Sequence, residues 1–208
     1  MIEKCLLEKF GYNEPIFLNE LNIQNMSENA VRQAIKRLVS CGFLKRYDTG
    51  IYYIPKSSEI LGTSYLDPYT VIIRKYVKND NTTYGYITGA SFANQLGLTT
   101  QMPAILEIVT NKEATNGRTV TIGGQSVRIK CPALTITDSN VSILQFLDII
   151  SQANKYSELS KTDMIKRLKS YLKRCQFTQK QLSDVASILT GSTAKNLIEW
   201  GMIYEFTS

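Results

Sequence analysis

The sequence predicts an α+β protein in two parts: a small helical domain that ends in a β-hairpin, and a larger mixed domain with a helical C-terminal segment. Residues 27–42 have the apolar spacing of a single helix. Residues 43–54 form two β-rich runs around a turn that contains Gly50. Beyond residue 62, helical and strand-like segments alternate as far as residue 130, and the segments that follow are helical.

The helix predicted at 27–42 has one apolar face and one cationic face. Ser27 suits the N-cap, because its hydroxyl can accept a hydrogen bond from an early backbone N–H, and Gly42 suits the end of the helix. The apolar positions follow the spacing i, i+3, i+4 and i+7: Val31, Ala34, Ile35 and Leu38. The opposite face carries hydrogen-bond donors and positive charge: Asn29, Arg32, Gln33, Lys36, Arg37 and Ser40.

The hairpin that follows this helix is also basic. Lys45 and Arg46 precede the turn, and Thr49 lies within it. Upstream we expect one helix at 1–10 and a second, short helix that begins at Pro15, with Phe17, Leu18 and Leu21 facing inward. Three helices and a basic hairpin match a winged helix-turn-helix, in which a helix enters the major groove and the wing contacts the DNA backbone. The candidate DNA-binding residues are Asn29, Arg32, Gln33, Lys36, Arg37, Lys45, Arg46 and Thr49. The alternative is a small helical domain whose cations are merely solvated.

A polar link at 57–62 separates the two predicted domains, which we place at 1–58 and 63–208. In the second domain the pattern predicts helices at 67–77, 89–96 and 140–153, and strands at 83–87 and 104–110. A hairpin is expected at 118–130 around Gly123-Gly124. The last three helices are predicted to begin after Ser160, Thr178 and Ser192, with Gly191 as a break and Gly201 as the final stop.

The charge of the chain permits a polyanionic partner. The formal net charge is +6 and the isoelectric point is about 9.1, although residues 1–62 hold nearly as many acids as bases. Any case for DNA binding therefore depends on where the cations lie. No apolar run has the length of a membrane span and the N-terminus has no signal-peptide pattern, so we expect a cytoplasmic protein with no membrane partner.

The residue types disfavour catalysis. The chain has no His, which removes the usual general base near neutral pH and the commonest metal ligand. The cysteines, Cys5, Cys41, Cys131 and Cys175, are far apart and predict buried free thiols in a reducing cytosol rather than a zinc site. Glu107 is alone in an apolar strand, and no two acids are spaced for acid–base or two-metal chemistry. We expect no enzymatic activity, no metal and no cofactor.

The segment 161–174 combines an apolar stripe with many cations. Ile165, Leu168 and Leu172 form the stripe, and Lys161 begins the basic run. The cations around it form a candidate surface for an anionic partner, either nucleic acid or an acidic protein: Lys166, Arg167, Lys169, Lys173 and Arg174. The alternative is a solvated amphipathic helix whose long side chains maintain solubility.

Three short segments carry a family resemblance. They are 49–55 (TGIYYIP), 86–93 (YITGASFA) and 96–103 (LGLTTQMP), and an apolar strand that ends in Thr110-Asn111 follows them. In this order they resemble the antitoxins of abortive-infection E (AbiE-type) type IV toxin–antitoxin systems. The Leu-rich third segment is similar to a signature of that family, but its residues are of the kind that suits a helix stop and a core.

The resemblance implies a function in phage defence. The winged helix would bind inverted repeats in its own promoter and repress the operon, with Arg32, Gln33, Lys36 and Arg37 on the helix and Lys45 and Arg46 on the wing as the DNA contacts. The remainder would counteract a nucleotidyltransferase-like toxin encoded beside it, directly or functionally. Two copies on one palindrome are expected from such a motif. The alternative is a plain winged-helix transcriptional regulator whose C-terminal domain senses a ligand or mediates oligomerisation.

Overall fold

A computed structural model describes residues 2–23, 26–58, 62–115 and 117–207. The chain divides into two compact units: unit 1 contains residues 1–74 and 122–124, and unit 2 contains residues 75–121 and 125–208. Both helices and sheets are present, which confirms the predicted α+β class. The domain boundary proposed between residues 58 and 63 stays a prediction.

Unit 1 is built on two helices and a three-stranded antiparallel sheet. Its elements are α1 (Ile2–Phe10), β1 (Ile16–Phe17), a 3-10 turn (Leu18–Glu20), α2 (Glu28–Ser40), β2 (Lys45–Asp48) and β3 (Ile51–Tyr53). A two-stranded ribbon, β4 (Ser57–Ser58) with β5 (Gly62–Thr63), and the start of α3 (Pro68–Tyr76) follow. The strand order of the first sheet is β1-β3-β2, so the return strand of the hairpin lies in the centre.

Helix α2 forms as its sequence predicts. The Ser27 hydroxyl accepts a hydrogen bond from the Ala30 N–H at 3.3 Å, which caps the helix, and Gly42 follows its end with φ = +81°. Val31, Ile35 and Leu38 are buried in one cluster with residues of α1 and β1. Burial of each such side chain stabilises the fold by about 1.5–3 kcal/mol. The same stripe therefore fixes how α2 is rotated about its axis.

The short helix predicted from Pro15 is wrong. Ile16 and Phe17 form strand β1 and pair with Tyr52 and Ile51 of β3, and only one 3-10 turn follows, with Leu18 in it and Leu21 after it. Both strand residues are buried. Pairing with a strand more than thirty positions away outweighs the local helical preference, because it buries two large side chains and satisfies backbone groups.

The segment 57–62 is not the simple link that we predicted. Its ends belong to the β4–β5 ribbon, in which Ser57 pairs with Thr63 and Ser58 pairs with Gly62. Residues 59–61 lie outside the described residues. Polar composition indicated a surface segment, but it could not indicate that the two ends pair with each other.

The four cysteines are free thiols, as predicted, but they are not all buried. Cys5 and Cys41 are exposed, and Cys131 and Cys175 are half-buried. In α1 the buried residue is Leu6, so its neighbour Cys5 points away from the core, and Cys41 lies at the exposed C-cap of α2.

Unit 2 combines a four-stranded mixed sheet with five helices among the described residues. The strands are β6 (Gly85–Thr88), β7 (Ile105–Thr110), β8 (Arg118–Ile122) and β9 (Gln125–Lys130), in the order β6-β7-β9-β8. The helices are α4 (Gly89–Gln95), α5 (Val141–Tyr156), α6 (Lys161–Cys175), α7 (Gln179–Asp184) and α8 (Gly191–Glu199). These positions confirm the predicted strands and helices to within a few residues. The β8–β9 turn, whose two glycines belong to unit 1, has φ = +54° at Gly123 and +83° at Gly124, as a two-residue hairpin turn of this kind requires.

Helix α5 is the centre of the core of unit 2. Its residues Ile143, Phe146 and Ile150 are almost completely buried. The Phe146 ring is stacked on Tyr171 of α6, with centroids 6.0 Å apart, and lies 5.6 Å from the ring of Phe177. These aromatic contacts fix α6 and the chain after it against α5.

The helix starts near the C-terminus follow the predictions in part. The reciprocal capping box of Thr178 and Gln181 is confirmed, but α7 ends at Asp184 and gives way to a 3-10 turn, Ala186–Ile188. Helix α8 is capped by Thr190 and not by Ser192, and Gly191 is its first residue rather than a break. The Thr190 hydroxyl reaches the Thr193 N–H at 3.2 Å, which places Ser192 inside the first turn.

We expect Gly85→Ala to destabilise unit 2. A Cβ atom at this position would overlap the Tyr76 carbonyl oxygen and lie 2.8 Å from that of Val109, and both are backbone atoms that cannot move aside locally. The expected loss is at least about 2 kcal/mol of unfolding free energy, in the range of overpacked cores. Urea unfolding followed by the fluorescence of Trp200, the only tryptophan, measures it.

The matched control is Gly191→Ala. A Cβ atom there has no neighbour within 4 Å, and alanine favours the helix. Equal stability of the two variants would contradict the proposed steric conflict at Gly85.

Candidate nucleic-acid interface

The outward face of α2 is exposed along its length. Because Val31, Ile35 and Leu38 face the core, the positions between them face solvent. The five predicted contact residues on this helix are all exposed: Asn29, Arg32, Gln33, Lys36 and Arg37. Three of them line a shallow depression together with Ser40 and Cys41 at the end of the helix. The structure therefore brings the helical part of the predicted site together on one surface.

The cations on the outward face of α2 form few ion pairs with described residues, and the pair that is seen is weak. Arg32 contacts the Glu28 carboxylate at 3.4 Å, but the two side chains are 61% and 89% exposed, so the pair contributes little and exchanges readily. Lys36 and Arg37 form no ion pair with any residue that the structure describes. Their charges are thus available to an external anion.

The two cations of the hairpin, Lys45 and Arg46, do not lie on the same face of strand β2. Lys45 lies opposite Tyr53 and Arg46 lies opposite Tyr52, and successive side chains of a strand point to opposite faces. Lys45 is half-buried, with its Nζ 5.5 Å from the centroid of the exposed Tyr65 ring. The sequence prediction grouped Lys45 with Arg46, whereas the structure places them on different faces of β2.

The tip of the hairpin is organised around Arg46. Its guanidinium donates hydrogen bonds to the Asp48 carbonyl oxygen at 3.3 Å and to the Thr49 hydroxyl at 3.2 Å. The Thr49 N–H in turn donates to the Asp48 carboxylate at 2.6 Å. Arg46 and Thr49, both exposed and both predicted as contacts, therefore lie side by side at the tip.

The basic helix α6 of unit 2 is partly neutralised by its own chain. Lys169 and Lys173 contact the two carboxylate oxygens of Glu205 at 3.5 and 3.3 Å. The hydrogen bond from Lys173, followed by the charges of both lysines, lowers the pKa of Glu205 below its usual value although burial opposes this. The carboxylate thus remains charged at neutral pH.

The other cations of α6 differ in their surroundings. Arg174 lies over the ring of Tyr171, with 5.3 Å between the guanidinium carbon and the ring centroid. Lys166 and Arg167 are exposed and form no ion pair among the described residues. The candidate surface of five cations therefore presents its full charge chiefly at Lys166, Arg167 and Arg174.

Sequence reasoning missed a polar cluster on the sheet of unit 2. We expected Glu107 to be alone, but Lys130 forms an ion pair with its carboxylate and the Tyr156 hydroxyl donates to it at 3.3 Å. Burial raises the pKa of Glu107, and the hydrogen bond and charge of Lys130 outweigh this and lower it. Gly89, with φ = +64°, comes so close that a Cβ atom would lie 2.6 Å from a carboxylate oxygen. The register between the parallel strands β7 and β9 brings Glu107 and Lys130 together, and no local sequence pattern indicates this register.

A cavity of about 250 Å³ lies beside this cluster within unit 2. Tyr86, Lys130, Cys131 and Asp148 are among the polar residues of its wall, which also includes three hydroxyl side chains, and aliphatic side chains of α5 and of the turn before α8 form much of the remainder. The Asp148 carboxylate accepts hydrogen bonds from the Thr88 hydroxyl and from Gln152, the latter at 3.0 Å. One signal could have revealed Asp148: it follows Leu144 by four positions on the inward face of a predicted helix.

The described residues contain neither a metal-binding cluster nor a helix suited to span a membrane. No group of three or more Cys, Asp or Glu side chains is arranged to hold a metal ion in the part of the chain described above. Within the same residues, no helix has both the length and the apolar character that a membrane crossing requires.

The chain belongs to a family of unknown function, DUF6088, whose model matches residues 7–179. The matched range begins in α1 and reaches the first residue of α7, so it includes parts of both units. No curated protein matches the chain. The description of the family names no activity.

We expect Glu205→Gln to increase non-specific binding to DNA. The change releases Lys169 and Lys173 from their shared partner. If both cations then neutralise phosphates, the slope of log affinity against log salt steepens by roughly 1.5 to 2, and a salt titration with a random-sequence duplex measures it.

Glu199→Gln is the control for net charge. Glu199 is an exposed partner of Lys195 at 3.6 Å, and its substitution changes the total charge by the same amount. Equal effects of the two substitutions would show that Glu205 does not mask a local cationic surface.

Proposed function

We propose that this protein is the antitoxin of an AbiE-like type IV toxin–antitoxin system, and that it represses its own operon through a winged helix-turn-helix in unit 1. The observation that carries the DNA-binding part is the exposed, lightly paired cationic face of α2 beside a basic hairpin. In this proposal the protein acts in the cytoplasm by binding, without catalysis of its own.

The order of elements in unit 1 supports a winged helix. A first helix, a short strand, a helical turn, a longer helix and a hairpin follow one another, and the short strand pairs with the return strand of the hairpin. In this arrangement α2 takes the place of the helix that enters the major groove, and β2 and β3 form the wing. The middle helix of the motif is reduced here to the 3-10 turn Leu18–Glu20.

The side chains of α2 fit two kinds of DNA contact. Arg32 and Arg37 are suited to read a guanine edge, because a guanidinium can donate two parallel hydrogen bonds to O6 and N7. Lys36 is suited to a phosphate, and Gln33 to an adenine edge. On the wing, Arg46 and Thr49 at the tip are better placed for a shared phosphate than Lys45, which lies against Tyr65.

The antitoxin part of the proposal rests on the resemblance in segments 49–55, 86–93 and 96–103. We assign the antitoxin activity to unit 2, which has a core of its own around α5. The partner is a nucleotidyltransferase-like toxin, counteracted directly or functionally. The exposed cations Lys166, Arg167 and Arg174 of α6 are the candidate surface for an anionic partner.

A second candidate is a winged-helix regulator whose C-terminal unit senses a ligand. The cavity of about 250 Å³ in unit 2 favours it, because a repressor that responds to a small molecule needs such a site. Two copies on a palindromic operator are expected under either candidate.

We expect an Arg32/Lys36/Arg37 triple alanine variant to lose specific binding to the DNA upstream of its own gene. Each arginine that reads a guanine contributes about 1–3 kcal/mol, so the loss from the two arginines is about 2–6 kcal/mol, or roughly thirtyfold or more in affinity. A gel-shift titration at fixed salt measures it. The control is a Lys4/Lys9/Lys56 triple alanine variant, which removes three positive charges from the same unit away from α2. Equal affinity of the two variants would exclude α2 from recognition.

We expect the same α2 triple variant to remain an antitoxin. If unit 2 counteracts the toxin, cells that co-express the nucleotidyltransferase-like gene next to this one are rescued by the wild type and by the variant alike, while operon repression is lost only with the variant. Growth curves and a promoter–reporter fusion measure the two activities. Failure of the wild-type chain to rescue growth would contradict the antitoxin role and leave the regulator candidate.

A further inference from the structure

The side chain of Tyr86 forms part of the wall of the cavity in unit 2. Tyr86 is 8% exposed. Burial, followed by the charge of Asp148, raises the pKa of Tyr86, so the group is a neutral hydroxyl at physiological pH, whose oxygen can accept a hydrogen bond from a cation. The cavity therefore offers a ligand one neutral hydroxyl group.

The charges around the cavity indicate the sign of that ligand. The ammonium group of Lys130 is neutralised by Glu107. Asp148, in contrast, receives only neutral donors from Thr88 and Gln152 and forms no ion pair among the described residues. One negative charge of the wall is therefore uncompensated, and a half-buried carboxylate is stabilised by a cationic donor.

The shape of the cavity indicates the size of the ligand. Its volume of about 250 Å³ corresponds to roughly eight water molecules at the density of the liquid. Leu144, Leu147, Ile188 and Leu189 provide apolar parts of its wall. Small-molecule sites typically combine such walls with a few polar groups that fix the orientation.

We propose that this cavity binds a small organic cation, with its ammonium or guanidinium group on the Asp148 carboxylate and within reach of the Tyr86 hydroxyl, and with its apolar body against α5 and the turn before α8. This assigns a ligand class to the ligand-sensing candidate. The binding itself does not depend on DNA recognition by α2, because every wall residue belongs to unit 2.

The first test is calorimetric titration of the full chain with three molecules of equal shape: 2-phenylethylammonium, 2-phenylethanol and phenylacetate. We expect the ammonium to bind at least tenfold more tightly than the other two, because only it combines a hydrogen bond to the Asp148 carboxylate with an ion pair. Asp148→Asn is expected to remove this preference, and Tyr86→Phe to weaken ammonium binding several-fold. Asp184→Asn, the same change at an exposed position of α7, is expected to leave it unaltered.

The second test uses the wild-type chain and so does not depend on the folding of a variant. Cys131 lines the cavity, whereas Cys5 and Cys41 are exposed in unit 1. We expect 2-phenylethylammonium to slow alkylation of Cys131 by iodoacetamide, measured by mass spectrometry, and to leave the rates at Cys5 and Cys41 unchanged. Equal binding of phenylacetate, or no protection of Cys131 at millimolar ammonium, would overturn the proposal. Failure of DNA binding by the α2 variants would not affect it.

Discussion

The rotation of α2 about its own axis is the constraint on which unit 1 depends. Three aliphatic side chains at helical spacing, Val31, Ile35 and Leu38, are buried together with Leu6 and Ile16. Since a helix repeats every 3.6 residues, burial of this stripe leaves no freedom in the direction of Arg32, Lys36 and Arg37. The core and the exposed cationic surface of unit 1 are thus two results of one pattern in the sequence. Any functional account of the cations depends on this packing.

Local signals in the sequence predicted most of the elements. A hydroxyl at the start of α2, the apolar repeat within it and two adjacent glycines in the β8–β9 turn each act over a few residues, and each was sufficient. The strand β1 could not be predicted in this way. Two residues have no periodicity, and Ile16 becomes a strand residue only because Tyr52 lies opposite it. The start of α8 shows the same limit on a smaller scale: Thr190 and Ser192 both carry a hydroxyl that can cap a helix, and the cap in the structure is Thr190.

The two candidate sites differ in how far the sequence revealed them. The face of α2 could be derived in full, because all its residues lie on one helix. The hairpin could be derived only in part: its residues were correct, but the alternation that separates Lys45 from Arg46 becomes decisive only when the pairing is known. The cavity of unit 2 could not be derived, because Tyr86, Lys130 and Asp148 come from three elements that meet only in the folded sheet and helix layer. To predict a site of this kind, the register between parallel strands must be known, and no local sequence pattern indicates that register.

The close approach of Gly89 to Glu107 gives a different meaning to the segment 86–93. A methyl group at position 89 would lie 2.6 Å from the carboxylate and would displace it from Lys130 and Tyr156. The Lys130 ammonium group would then lie at the cavity without the Glu107 carboxylate. Its positive charge would offset the negative charge of Asp148, and the net charge around the cavity would change from negative towards neutral. Gly89, the first residue of α4, therefore also affects the charge beside the cavity of unit 2, because its lack of a side chain leaves room for the Glu107 carboxylate.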